Sequence, residues 1–140
     1  MNRPAPQWLR ILAWWGVGIW AATITALSSL TPPQLRAIAP FEMWDKAEHF
    51  IAFGAGAVNL ALALCWRTAW PWKRVVVFTI IAISIFGAAD EIHQLFTPNR
   101  SGADPYDWTA DTLGGLTGAL LTAFVYARYF SPPRPAPAGA

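Results

Sequence analysis

Residues 75–100 read "VVVFTIIAISIFGAADEIHQLFTPNR", a mainly apolar run that ends in Asp90, Glu91, His93 and Gln94 ahead of Pro98 and Arg100. As a helix, the apolar part approaches the ~20 residues needed to cross a hydrocarbon core of roughly 30 Å. Polar and ionisable groups grouped at the end of such a helix mark the water boundary or face the interior of a bundle, because a carboxylate in lipid costs a few kcal/mol or more. Which of the two applies decides whether the chain is a passive membrane bundle or carries a site.

The rest of the chain places this stretch. Of 140 residues, 55% are hydrophobic and 13% are charged, against about 25% charged in an ordinary soluble domain. The implied solvent is the membrane, and membrane lipids are the first expected partners. The net charge is +2, with the basic residues in short loops and tails rather than on one face. That excludes nucleic acid as an expected partner. Cys65 is the single cysteine, so no intrachain disulfide exists and its expected role is packing.

Four apolar segments stand out, at about 8–29, 45–66, 75–96 and 107–129. The first, "WLRILAWWGVGIWAATITAL", exceeds the ~7–15-residue apolar core of a secretory signal and reads as a span. All twelve prolines fall outside the segment interiors, where they end helices. Seven of the ten basic residues (Arg3, Arg10, Arg67, Lys73, Arg74, Arg128 and Arg134) fall on one side of the resulting topology. By the positive-inside rule that side is cytoplasmic, and Trp and Tyr residues gather near both boundaries. The expected fold is all-α: a polytopic membrane protein of four transmembrane helices with both termini cytoplasmic. One domain covers residues 1–130, and the Pro/Ala-rich 131–140 forms a disordered tail. The loops at about 30–44 and 97–106 are then outside.

The eight carboxylates (Glu42, Asp45, Glu48, Asp90, Glu91, Asp104, Asp107 and Asp111) all fall on that outer side. The positive-inside rule does not explain this, since it concerns Lys and Arg. Residues three and four apart share a helix face. Asp45, Glu48 and His49 head a stripe continuing through Ala52, Gly56 and Asn59. Ser84, Gly87, Glu91 and Gln94 form a second, with Asp90 at its edge and His93 on another, exposed or interfacial face. Asp107 and Asp111 stand above Gly114, Gly118 and Thr122. Small residues mark where helices approach in membranes, so three helices are expected to converge on a polar pocket. Asp45 and Asp107 also suit helix N-caps, and Lys46 suits snorkelling.

These spacings resemble the VanZ-like family of small membrane proteins. The resemblance rests on "DKAEHF" at 45–50, "EIHQLFTPNR" at 91–100 and "DWTADTLGGLTG" at 107–118, and covers about residues 41–122. It carries over onto Asp45, Lys46, His49, Glu91, Gln94, Arg100, Asp107, Asp111, Gly114 and Gly118. At position 111 many members have Asn, where this chain has Asp. The family takes its name from a protein associated with low-level resistance to a glycopeptide, so the resemblance implies a cell-envelope role in a bacterial cytoplasmic membrane.

Two classes of function follow. In the first, the pocket acts on a lipid-linked anionic substrate, with Glu91 or Asp111 as general base, His49 as acid/base partner and Lys46 and Arg100 as donors to an anionic group; Asp45, Gln94 and Asp107 complete the binding set. In the second, the same residues bind an envelope component without chemistry, or only lock helices together. Asp45, His49, Glu91 and Asp111 offer oxygen and imidazole donors, but no metal-ligand spacing exists within a single segment, so neither metal nor cofactor is assigned. A proton-coupled transporter is disfavoured because the inner halves of the last three segments contain no ionisable relay.

Overall fold

A computed structural model describes residues 5–38 and 43–129. Glu42 and the tail at 131–140 lie outside the described residues. The chain is all-helical, with α1 Gln7–Ser28, α2 Pro32–Ile38, α3 Asp45–Arg67, α4 Trp72–Gln94 and α5 Pro105–Tyr129.

Proline sets most of the starts. Pro6 and Pro71 are the N-caps of α1 and α4, while Pro32 and Pro105 open α2 and α5, where the missing N–H is not needed. Helix α2 lies within the stretch at about 30–44 that the sequence alone marks as a loop. Its signal is "TPPQ" at 31–34: Gln34 Oε1 accepts from both the backbone N–H and the hydroxyl of Thr31, each at 2.8 Å. That is one half of a capping box, in which the Gln side chain reaches back to the N–H of the residue ahead of the helix.

Helices α1, α3 and α4 are long and apolar enough to cross a membrane. Helix α5 has 25 residues, but Asp111, three glycines and several threonines dilute its apolar content. The surface supports a lipid environment. Ile11, Leu12, Trp15 and Ile19 on α1, Ile81 and Ile85 on α4, and Leu121 and Phe124 on α5 are all exposed, whereas Ala57, Ala61, Ala63 and Ala119 are buried. A soluble monomer rarely exposes contiguous apolar surface on this scale.

Helices α3 and α5 run parallel and share the most extensive contact, with α4 against α5 next. Glycine makes the closeness possible. A Cβ on Gly118 would meet the Gly54 carbonyl and lie 3.0 Å from Ala57 Cβ; one on Gly114 would meet the Phe50 carbonyl and lie 3.1 Å from Gly54 N. Helix α1 lies antiparallel to α3, with the Trp20 ring over Gly56 and its Nε1 donating to the Ala52 carbonyl at 2.8 Å. The alternating directions segregate charge. Arg10, Arg67, Lys73, Arg74 and Arg128 lie at one end, and every described carboxylate lies at the other.

Gly118→Leu should therefore force α3 and α5 apart, costing on the order of 1–3 kcal/mol or more. Gly18, with open space around it, should accept alanine neutrally or gain up to about 1 kcal/mol. Thermal unfolding of the protein in detergent compares the two.

Candidate functional site

The α3–α5 contact brings the first turns of both helices together at the acidic end. Lys46 Nζ donates to Asp45 Oδ2 at 3.1 Å, to Asp104 Oδ2 at 3.0 Å and to Asp107 Oδ1. Asp107 is buried, with 5% of its side chain exposed, whereas 64% of the Asp45 side chain is exposed. The acceptors of Lys46 are thus protein carboxylates, from both α3 and the start of α5.

The helix caps differ from the sequence reading. Trp44, not Asp45, is the N-cap of α3, and Asp45 sits in the first turn. Helix α5 starts at Pro105, so Asp107 lies within its first turn and Asp104 does the capping, accepting the Tyr106 N–H at 2.8 Å. "Asp-Pro" at 104–105 is the sequence signature of such a start. That N–H, then the Lys46 ammonium, holds the Asp104 carboxyl below the usual carboxylate range.

One turn further in, His49 Nδ1 lies 2.9 Å from Asp111 Oδ1. Asp111 is fully buried. Its other oxygen lies against α4 at Gly87, where an added Cβ would stand 2.8 Å from Oδ2. Phe53 stacks on the His49 ring at 6.2 Å between centroids. Glu91 comes in from α4 with 3% exposure. Its Oε2 accepts the Asp104 N–H at 2.8 Å, and its backbone carbonyl accepts the Ala103 N–H at 3.0 Å. The loop turns back for these two bonds through Asn99 and Ala103, both with positive φ. Donor atoms of His49, Glu91 and Asp111 all lie within 4.8 Å of one another, and so do those of Asp45, His49 and Asp107. Among the described residues, Glu91 Oε1, Asp111 Oδ2 and Arg100 Nε are buried without a hydrogen-bond partner.

Asp90 is not at an edge. It is buried, and its Oδ2 accepts from Ser28 Oγ at 2.7 Å and from Gln94 Nε2 at 3.0 Å. The reason is α1, whose final turn closes this side of the site: Thr97 Oγ1 donates to the Ser28 carbonyl at 2.9 Å, and Ser29 Oγ lies 2.9 Å from His93 Nε2. His93 is half-buried on a face away from Glu91. The "SS" at 28–29, at the end of an apolar helix, was the available signal for Ser28 and Ser29.

Two cavities of about 150 and 180 Å³ meet here, both lined by Asp45, His49, Gln94 and Arg100. The first has an apolar wall that includes Ile24, Leu27, Leu35 and Phe53, with the exposed Glu48 also on its lining. The second extends to Asp107 and the loop around Asn99. A carboxylate holding one imidazole nitrogen orients the ring and leaves the other nitrogen for proton transfer. The site therefore combines an acid/base pair, a buried guanidinium nitrogen and an apolar wall.

Residues 8–126 match the model of the VanZ/LLP1 family, and the chain belongs to that family. The match takes in α1, which the sequence motifs left without support. Neither the curated proteins nor the solved structures give a match.

Lys46→Met should strand buried Asp107 and destabilise the fold by roughly 2–3 kcal/mol, below the ~3–5 of a fully buried pair because Lys46 keeps 25% of its side chain exposed. Asp45→Asn, at the exposed end of the same cluster, should cost about 0–1 kcal/mol. Equal losses in unfolding measurements would contradict this division.

Proposed function

We propose that this VanZ/LLP1 membrane protein crosses a bacterial cytoplasmic membrane four times, with both termini inside, and uses its acidic end, facing outward, to take the anionic headgroup of a lipid-linked envelope component. The fourth span is α5. At about 1.5 Å per residue it is roughly 37 Å long, and Asp107, Asp111 and its glycines are buried against the other helices rather than turned to lipid. The basic residues at the opposite end support the orientation.

The observation that carries the ligand class is Arg100. Its Nε is buried and unpartnered on a wall shared by both cavities. A guanidinium is suited to bidentate recognition of phosphate or carboxylate. Cavities of about 150 and 180 Å³ are smaller than the ~300–1,000 Å³ that encloses a drug-sized ligand. They fit a headgroup whose chain remains along the apolar wall toward α1 and the lipid. On such a ligand, His49 held by Asp111 serves as the acid/base group. A non-catalytic role in the same pocket is favoured by one observation: Lys46 and one oxygen of Glu91 are already committed to holding α3, α4 and the loop before α5 together.

A polyprenyl phosphate should bind the detergent-solubilised protein, and the matching polyprenol should bind at least ten-fold more weakly. Arg100→Gln should reduce phosphate binding by about 10–100-fold, the loss of a charge-assisted hydrogen bond. Equal affinity for phosphate and alcohol would sink the headgroup reading. If His49→Asn and Glu91→Gln retain binding and leave lipid-linked precursors chemically unchanged relative to wild type, the role is binding alone. A reporter fused after Pro133 should be cytoplasmic; an external signal would overturn the orientation.

A further inference from the structure

We infer that His49, Glu91 and Asp111 form a site for one divalent first-row cation of the Mn²⁺ or Zn²⁺ class. The three residues come from α3, α4 and α5 and offer donor atoms that all lie within 4.8 Å of one another. Glu91 is 3% exposed and Asp111 0%, and each directs a buried oxygen, Oε1 and Oδ2, to no partner among the described residues. Two carboxylates held together away from water repel each other, and each unbonded oxygen adds a desolvation cost. A doubly charged cation cancels both charges and takes both oxygens.

The donor set fits that class. One imidazole and two carboxylates suit first-row metals better than the all-oxygen cages preferred by Ca²⁺. Bonds of about 2.1 Å at near-tetrahedral or octahedral angles place neighbouring ligand atoms roughly 3.0–3.4 Å apart. The donor atoms of the three residues lie within 4.8 Å of one another, so the ion draws them closer, and a ligating His49 Nδ1 gives up its proton and with it the hydrogen bond to Asp111 Oδ1. The neighbouring trio of Asp45, His49 and Asp107 is the weaker candidate, because Lys46 already bonds both of its carboxylates. With three protein ligands the ion keeps further positions open, and of the three residues His49 also lines both cavities. The site stands on these three residues and does not depend on the headgroup reading; with the ion bound, His49 is its ligand rather than the acid/base group.

The test uses the full chain in detergent, stripped with a chelator and titrated with Mn²⁺ alone and Zn²⁺ alone. The expected result is one equivalent bound, a rise in the thermal midpoint, and in the Mn²⁺ form a nitrogen coupling from an imidazole in pulsed electron paramagnetic resonance. Glu91→Gln and Asp111→Asn should each weaken binding at least ten-fold, and His49→Gln should remove the nitrogen coupling. Asp45→Asn, which belongs only to the neighbouring trio, should shift binding less than two-fold. If Asp111→Asn fails to fold, Glu91→Gln and the His49 coupling still decide. Folded wild-type protein that binds neither ion, as a carboxyl pair sharing a proton would, overturns the inference, and so does binding that survives both carboxylate substitutions. Lipid binding is not read in this experiment, so its failure and that of the headgroup reading are separable.

Discussion

Gly54, Gly114 and Gly118 let α3 and α5 meet backbone to backbone, with carbonyl oxygens where side chains would otherwise stand. Parallel helices in register at this distance bring residues about 60 positions apart into direct contact: Lys46 with Asp107, and His49 with Asp111. In lipid there is no hydrophobic force between helices, so close packing and interhelical hydrogen bonds must hold them. The glycines allow the packing, and the ionic contacts at the acidic end add the bonds. Wider spacing would leave Asp107 and Asp111 without their partners in an apolar setting.

Helix α4 completes the site through a different small residue. Gly87 leaves space for the Asp111 carboxylate, and Glu91, one turn on, enters the same interior. The loop then returns so that the N–H groups of Ala103 and Asp104 bond the carbonyl and the side chain of Glu91. Asp104 in turn caps α5 and accepts from Lys46. One short segment thereby ends α4, starts α5 and fixes the Glu91 carboxylate.

Much of this was legible in the sequence because the helical repeat sorts residues onto faces. The spacing of His49 with Gly56, of Gly87 with Glu91 and Gln94, and of Asp111 with Gly114 and Gly118 marks stripes that the structure turns inward. The repeat says nothing about which neighbour a second face meets. Asp90 is rotated about 100° from Glu91, which made it an edge residue until α1 supplied Ser28 as its partner. Lys46 read as a free donor because its three acceptors lie on its own turn, in a loop and on another helix. Helix α2 and the Asp104 cap are readable from "TPPQ" and "DP", local turn signals that stand between the apolar segments and outside their periodicity. The reduced apolar content of α5 has the same origin as its place in the bundle: a helix packed through glycine and threonine has less side chain to offer lipid.

The acidic end contains two clusters that differ in how completely their groups are bonded. Around Lys46, Asp104 and Asp107 are joined to the ammonium, and Asp104 also caps a helix. Such a satisfied cluster accounts for itself structurally. Around His49, by contrast, Glu91 Oε1 and Asp111 Oδ2 are buried and unbonded, and Arg100 Nε is unbonded on a cavity wall that His49 also lines. Buried polar groups without partners cost stability, and no feature of the helix packing requires them to be so placed: Gln at 91 could keep an acceptor for the Asp104 N–H without adding a charge. Unpaired groups of both signs near one imidazole are the observation behind both proposals, an anion toward Arg100 and a cation between the carboxylates. That difference in satisfaction, rather than the number of acidic residues, separates the part of the end that holds the helices from the part available for a ligand.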